Sequence, residues 1–330
     1  MARSRSPRRA RPSARRGEAG EGWLDSLLNR LPLAEDAGKR AAERFNLLFS
    51  AVWIAVFGTV VATQVYFQVS FLRGSLFLSP SSLHSLHSLL LSSLLAHSSR
   101  FQFGDVEFFL LGLFVALPYF VYPLVYPFEA DRKTPFHKRY FVVSNVWIAV
   151  FSYVGNYFWT HYFYQVLGAA YHFPIKLELN GVPLFLYFVT HGYFMFYHTG
   201  TTLVLRAFYR TRHGRSRLAQ ALVVLGLAVF TAFMETWTIS NVPYYSHADK
   251  FRMYTIGSVV YGIYFIVSFP MYHNLGEEKP STVWKATLDS LAAGMAVTIL
   301  LDLWRLIVEN NAPGLPWLTV AAAATTATAQ

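Results

Sequence analysis

The sequence predicts an all-α, polytopic bundle of about seven transmembrane helices with a cytosolic N-terminus. Three observations carry that reading. Hydrophobic residues make up 54% of the 330 and aromatic residues 17%, against 14% charged, proportions foreign to a soluble domain. The apolar residues gather in runs close to the ~20 that a helix needs to cross a hydrocarbon core of about 30 Å. Lys and Arg concentrate in the N-terminal arm and in short connections between those runs, the bias that orients spans in a membrane.

The same distribution decides what the net charge of +10 means. No RNA- or DNA-binding motif accompanies the basic residues, so they are read as a tail and loops facing an anionic lipid leaflet, with no nucleic-acid partner. The chain has no cysteine, which removes disulfides, thiolate metal sites and thiol nucleophiles from consideration.

Taken in order, Met1–Arg16 is rich in Arg among Ser, Pro and Ala and holds no acid. It reads as a disordered basic arm or an organelle transit peptide, and it lacks the apolar core of a secretory signal. Trp23–Leu33 adds a short amphipathic segment interrupted at Pro32. These belong to an arm, 1–44, ahead of a transmembrane domain, 45–310, and a disordered tail, 311–330.

Within the domain the predicted spans are Leu47–Val69, Val106–Tyr126, Val143–Leu167, Val182–Leu205, Leu218–Ile239, Tyr254–Tyr272 and Ala286–Val308. The arm, Asp131–Arg139 and Arg206–Arg217 are rich in Lys and Arg and alternate as cytosolic segments should, whereas Gly168–Gly181 and Asn241–Met253 are poor in them and fall to the lumenal side. Residues 71–103 fit badly. Their Ser/Leu/His repetition reads as a low-complexity insertion or a gene-model artefact, and His84, His87 and His97 have no carboxylate or thiolate beside them to complete a metal site.

Polar residues inside the spans are the functional candidates, because a polar group at membrane depth must find a partner within the bundle or line a cavity. The span Val143–Leu167 has no charged side chain but carries Asn156, Tyr157, Trp159 and His161 in its second half. Glu235 lies near the lumenal end of the next-but-one span. Burying it ionised and alone would cost several kcal/mol, so it is either a neutral carboxyl able to donate a proton or an interfacial residue bonded to a neighbouring helix. His191 and His198 stand two helical turns apart and so share a face. Either they are satisfied core residues or, with His161, they handle protons or bind a polar head. The spacing of these histidines is not that of a di-iron set. Asp302 and Arg305 read as a structural ion pair, and Tyr244 follows Glu235 into the lumenal loop.

An aromatic cavity with a few carboxyl and imidazole groups and no cofactor motif suits a flat apolar ligand with one polar end, such as a sterol. Two functions fit: a membrane isomerase working by general acid and base, with aromatic faces stabilising a carbocation, or a transporter or receptor for a sterol-like ligand. The sequence shows no inverted repeat and no pair of broken spans, which weighs against transport.

The stretches NVWIAVFSYVGNYFWTHYF, VLGAAYHFP, FVTHGYFMFYH, METWTISNVPYY, YGIYFIVSFPM and ILLDLWRL, with EADR in the second loop and GLPW near the end, resemble the cycloeucalenol cycloisomerase family of plants and algae. They cover most of Val106–Trp317 in the family's order. The resemblance implies a multi-pass enzyme of the endoplasmic reticulum membrane that opens the cyclopropane ring of cycloeucalenol to give obtusifoliol. It implies no cofactor, a cyclopropylsterol substrate, membrane lipid around it and other sterol-pathway membrane enzymes as partners. The Arg-rich arm and residues 71–103 depart from the family, and the arm leaves plastid targeting open.

The resemblance assigns no catalytic pair, so roles follow from the chemistry. A cyclopropane is a very weak base, and its protonation needs a positioned acid in a dry site. Glu235 is the expected acid, with His161 and His191 as base or relay. Tyr157, Trp159 and Trp237 are expected to stabilise the cation, and Asn156 or His198 to hold the sterol hydroxyl.

Overall fold

A computed structural model describes residues 23–63, 103–240, 242, 244–246, 251 and 253–311. The Arg-rich arm, the low-complexity stretch apart from its last residue, and the C-terminal tail lie outside the described residues. So do Asn241 and Pro243.

The described chain is helical nearly throughout. A short helix α1 (Trp23–Asn29) precedes α2 (Ala37–Thr63), α3 (Asp105–Ala116) and α4 (Pro118–Val125). Helix α5 (Tyr140–Val154) runs through a π-helical turn, Gly155–Trp159, into α6 (Thr160–Leu167). Then follow α7 (Leu184–Tyr209), α8 (Arg217–Ser240), a second π turn at Met253–Gly257 leading into α9 (Ser258–His273), and α10 (Val283–Asn311).

Five of these helical stretches are long and apolar enough to cross a membrane, and a sixth is added if α3 and α4 form one bent span. That is short of the expected seven. Helix α7 is as long as its neighbours, but its His, Thr and Tyr side chains dilute its hydropathy, and those side chains are spent on the interior. The expected straight span Val106–Tyr126 is bent by 57° between α3 and α4. Pro118 opens α4, where the missing N–H and the ring together break the preceding helix.

Helix α7 forms the centre. Its Gly192 meets α3 so closely that an added Cβ would stand 2.2 Å from Val115 Cγ1, and Gly112 of α3 approaches the Phe185 carbonyl in the same way. Glycines are required where two helix backbones come this near. Trp147, Phe151, Trp159, Phe194, Phe265 and Phe269 fill the core.

The connections collect at the two ends of the bundle. At the end where α2 begins, the basic loop contains short 3₁₀ turns at Glu129–Asp131 and Phe136–Lys138. Arg206 does not belong to an exposed basic loop, as the sequence suggested; it lies in the last turn of α7 and is only 4% exposed. Its guanidinium donates to both oxygens of Glu43 at 2.6 and 3.0 Å, to the Pro32 carbonyl at 2.7 Å and to the Glu277 carboxylate. Lys39 donates to Glu277 at 2.7 Å and to the Leu275 carbonyl at 2.6 Å. Burial pulls the Glu277 pKa up, but Arg206 and Lys39 outweigh it and hold it down to about 2.

At the opposite end two small antiparallel pairs close the bundle. β1 (Ala170–Tyr171) pairs with β4 (Tyr245–Ser246). β2 (Glu178–Leu179) and β3 (Val182–Pro183) form a hairpin on Asn180–Gly181, whose φ values of 55° and 68° suit the Asn-Gly turn. Asn180 donates to the Tyr157 carbonyl at 2.7 Å, and Tyr164 donates to the Gly181 carbonyl at 2.9 Å, so the hairpin is tied to the π turn.

Candidate active site

Under the β1–β4 lid, the ends of α3, α7, α8 and α9 and the Gly155–Trp159 turn enclose a cavity with about 1180 Å³ of empty space, its mouth included. The walls are aromatic. Tyr171, Tyr193, Tyr197, Tyr245, Tyr261 and Tyr264 line it with Phe57, Phe108, Phe173 and Phe185.

Glu235 supplies the one carboxyl among the described lining residues. Its Oε2 is shielded from solvent and has no hydrogen-bond partner among them. A structural carboxyl in a helix interface is bonded to something; this one is held in an aromatic cavity with its valence open to whatever occupies the space. The remaining polar lining is Asn156, Thr160, Thr190 and Thr238. Asn156 Nδ2 donates to the Ser152 carbonyl at 2.9 Å, and its Oδ1 accepts from Thr190 at 3.4 Å. The π turn matters here: the extra residue in one turn re-aims the side chains that follow, and it presents Gly155 and Asn156 to the cavity while Trp159 turns into the core.

The lid is positioned by backbone pairing. His172 N–H donates to the Tyr244 carbonyl at 2.8 Å, Tyr171 and Tyr245 pack edge to face with centroids 4.9 Å apart, and Phe173 stands 5.0 Å from Tyr244. Burial pushes the phenols of Tyr171 and Tyr245 well above the usual tyrosine range, so the lid meets the cavity as neutral hydroxyls and ring faces.

The expected site residues divide into those that meet and those that do not. Glu235, Asn156 and Tyr244 line the one cavity. His161 and Tyr157 line a separate polar groove with Asp302 and Arg305. His191 lines a third space and bonds Asn145 Oδ1 at 3.0 Å. His198 is a satisfied core histidine: Nδ1 donates to the Phe194 carbonyl at 2.8 Å, and Nε2 bonds the Ser268 hydroxyl at 2.9 Å. Trp159 is fully buried, donates to Thr298 at 2.9 Å and backs the cavity wall through Tyr264, 4.7 Å away. Trp237 is 51% exposed and lines an outer groove. Asp302 and Arg305 pair at 2.8 Å and are partly exposed.

Apart from Tyr244, sequence reasoning missed the cavity's tyrosines. Tyr193 and Tyr197 stand four apart, and Tyr261 and Tyr264 three apart, spacings that place each pair on one helix face. That spacing is the signal by which the sequence marks them.

No known family model matches the chain, and no solved structure matches it. The chain is similar to a curated protein, "Cycloeucalenol cycloisomerase" of Arabidopsis thaliana. The two are 44% identical over 237 residues, a match that covers 66% of this chain and 83% of that protein.

Proposed function

The chain belongs to the cycloeucalenol cycloisomerase family and is a sterol isomerase, and from that premise we propose that it opens the 9β,19-cyclopropane ring of cycloeucalenol to give obtusifoliol, with Glu235 as the acid. The observation that carries the assignment is the Glu235 carboxyl, without a partner for Oε2 among the described residues and set within an aromatic cavity.

The neutral carboxyl gives its proton to the cyclopropane methylene. The electrons of the bond between that carbon and ring carbon 9 take it up, the bond breaks, and the methylene becomes a methyl group. Positive charge is left at carbon 9. The faces of the cavity's tyrosine and phenylalanine rings, and the newly formed Glu235 carboxylate, stabilise that charge in a space screened from water. Loss of a proton from the adjacent ring carbon forms the alkene. The two reacting carbons are bonded neighbours of one centre, so one carboxylate can reach both, and its return to the neutral acid closes a proton-neutral cycle without His161 or His191. In this reading Asn156, which lines the same cavity, holds the sterol hydroxyl. The end of the bundle that gathers the basic connections faces the cytosol in this reading, with the lid on the lumenal side of the endoplasmic reticulum membrane.

Membranes containing the protein, incubated with cycloeucalenol in D₂O, test this. One deuterium should appear in the newly formed methyl group of obtusifoliol, because the donor exchanges with solvent between turnovers. Bound but unconverted sterol would instead favour the transporter or receptor reading, and label elsewhere in the product would reject this route.

A further inference from the structure

Beside the candidate active site runs a second apolar space, between α2 and α8 with α7 as its floor, holding about 1850 Å³ including its open side. Trp237, Phe230 and Val204 border it and are 51%, 64% and 47% exposed, so it opens on the surface that faces lipid. Four residues line both this groove and the cavity holding Glu235: Phe57, Tyr193, Tyr197 and Thr238. These four residues stand between the two spaces. Trp53, at the groove's inner wall, is fixed by its indole N–H donating to Tyr119 at 2.8 Å. Phe57, one turn further on, carries no polar anchor and meets Tyr193 edge to face at 5.9 Å.

We propose that the groove is the lateral portal through which the sterol passes between the bilayer and the cavity, and that the Phe57–Tyr193–Tyr197 partition is its gate. The proposal rests on the isomerase reading above. A sterol is dissolved in the membrane at both the start and the end of the reaction, so a route through water would expose its whole apolar surface twice. The groove instead offers an apolar path at membrane depth, with the Thr238 hydroxyl at its inner end. In this proposal, rotamer changes of Phe57, Tyr193 and Tyr197, which side chains make on fast timescales, open the gate.

Two glycines make the test clean. Gly58 and Gly200 line the groove, and a Cβ added to either meets nothing within 4 Å. Gly226, on the exposed face of α8 outside the groove, is equally unobstructed. Leu is a better helix former than Gly, so all three Leu variants should fold. Gly200→Leu and Gly58→Leu should lower kcat/KM about tenfold or more with kcat changed much less, while Gly226→Leu stays near wild type. A wild type that converts sterol alongside groove variants with unchanged kcat/KM overturns the portal but leaves the isomerase standing; a wild type that converts nothing overturns the isomerase reading first. Lower abundance of the groove variants with normal kcat/KM per folded molecule would show a seat for structural lipid and reject the portal. Should either variant fail to accumulate, a sterol bearing a photoreactive diazirine decides the matter on the wild type. Labelling of Val204 or Met234 in the groove is expected, and labelling confined to the Glu235 cavity overturns the proposal.

Discussion

Two ends of one bundle treat buried charge in opposite ways. Where α2 begins, Lys39, Glu43, Arg206 and Glu277 form a closed set, with Arg206 and Glu43 4% and 2% exposed and every group bonded to another or to a carbonyl. Beneath the lid, Glu235 has, among the described residues, neither a cation nor a bonded donor for its Oε2. A paired charge in a low-dielectric interior is satisfied by the protein and has nothing left to offer a ligand. An unpaired carboxyl has kept its chemistry available, and the cavity around it is where that chemistry can be used.

The comparison breaks most sharply through exchange of each carboxyl for its amide. Glu235→Gln keeps the shape and removes the transferable proton, so turnover should fall by about 10²–10⁴, with sterol binding and thermal unfolding near wild type. Normal turnover in that variant would take the acid away from Glu235. Glu43→Gln should do the reverse: it leaves Arg206 short of a buried counter-charge and should cost about 3–5 kcal/mol of stability. Abundance and unfolding temperature should drop while activity per folded molecule holds.

Acid should find the closed set first. The Glu277 pKa lies at about 2 against an ordinary 4.5, so its ion pairs contribute stability above the ordinary value and lose it as pH falls from there towards 2. Acid titration of unfolding should show that loss, and Glu277→Gln should remove it from the curve. Smaller effects are expected in the polar groove that holds His161. Asp302 and Arg305 are 46% and 31% exposed, so Asp302→Asn should cost no more than about 1 kcal/mol. His161→Gln, outside the Glu235 cavity, should leave turnover within about threefold of wild type; a hundredfold loss there would move part of the proton chemistry into that groove.

Much of the architecture was legible because the bilayer imposes it. A span must be helical, apolar and near a fixed length, so the stretch Val143–Leu167 announced itself, and a lone carboxyl at Glu235 stood out against that background. Asn156 was legible for the same reason. What no run of residues could show is which face of each helix meets which neighbour. In a soluble protein polarity separates inside from outside, but in lipid both are apolar, and hydropathy carries no such sign. Only the packed bundle therefore turned His161 and His191 away from Glu235, satisfied His198 within the core, and drew tyrosines from α7, α9 and the lid strands around one carboxyl. The closed charge set was hidden for a related reason: Lys39 and Glu43 share one helix, but Arg206 and Glu277 lie far from them in the chain, and the pairing exists only once α2, α7 and the loop after α9 meet.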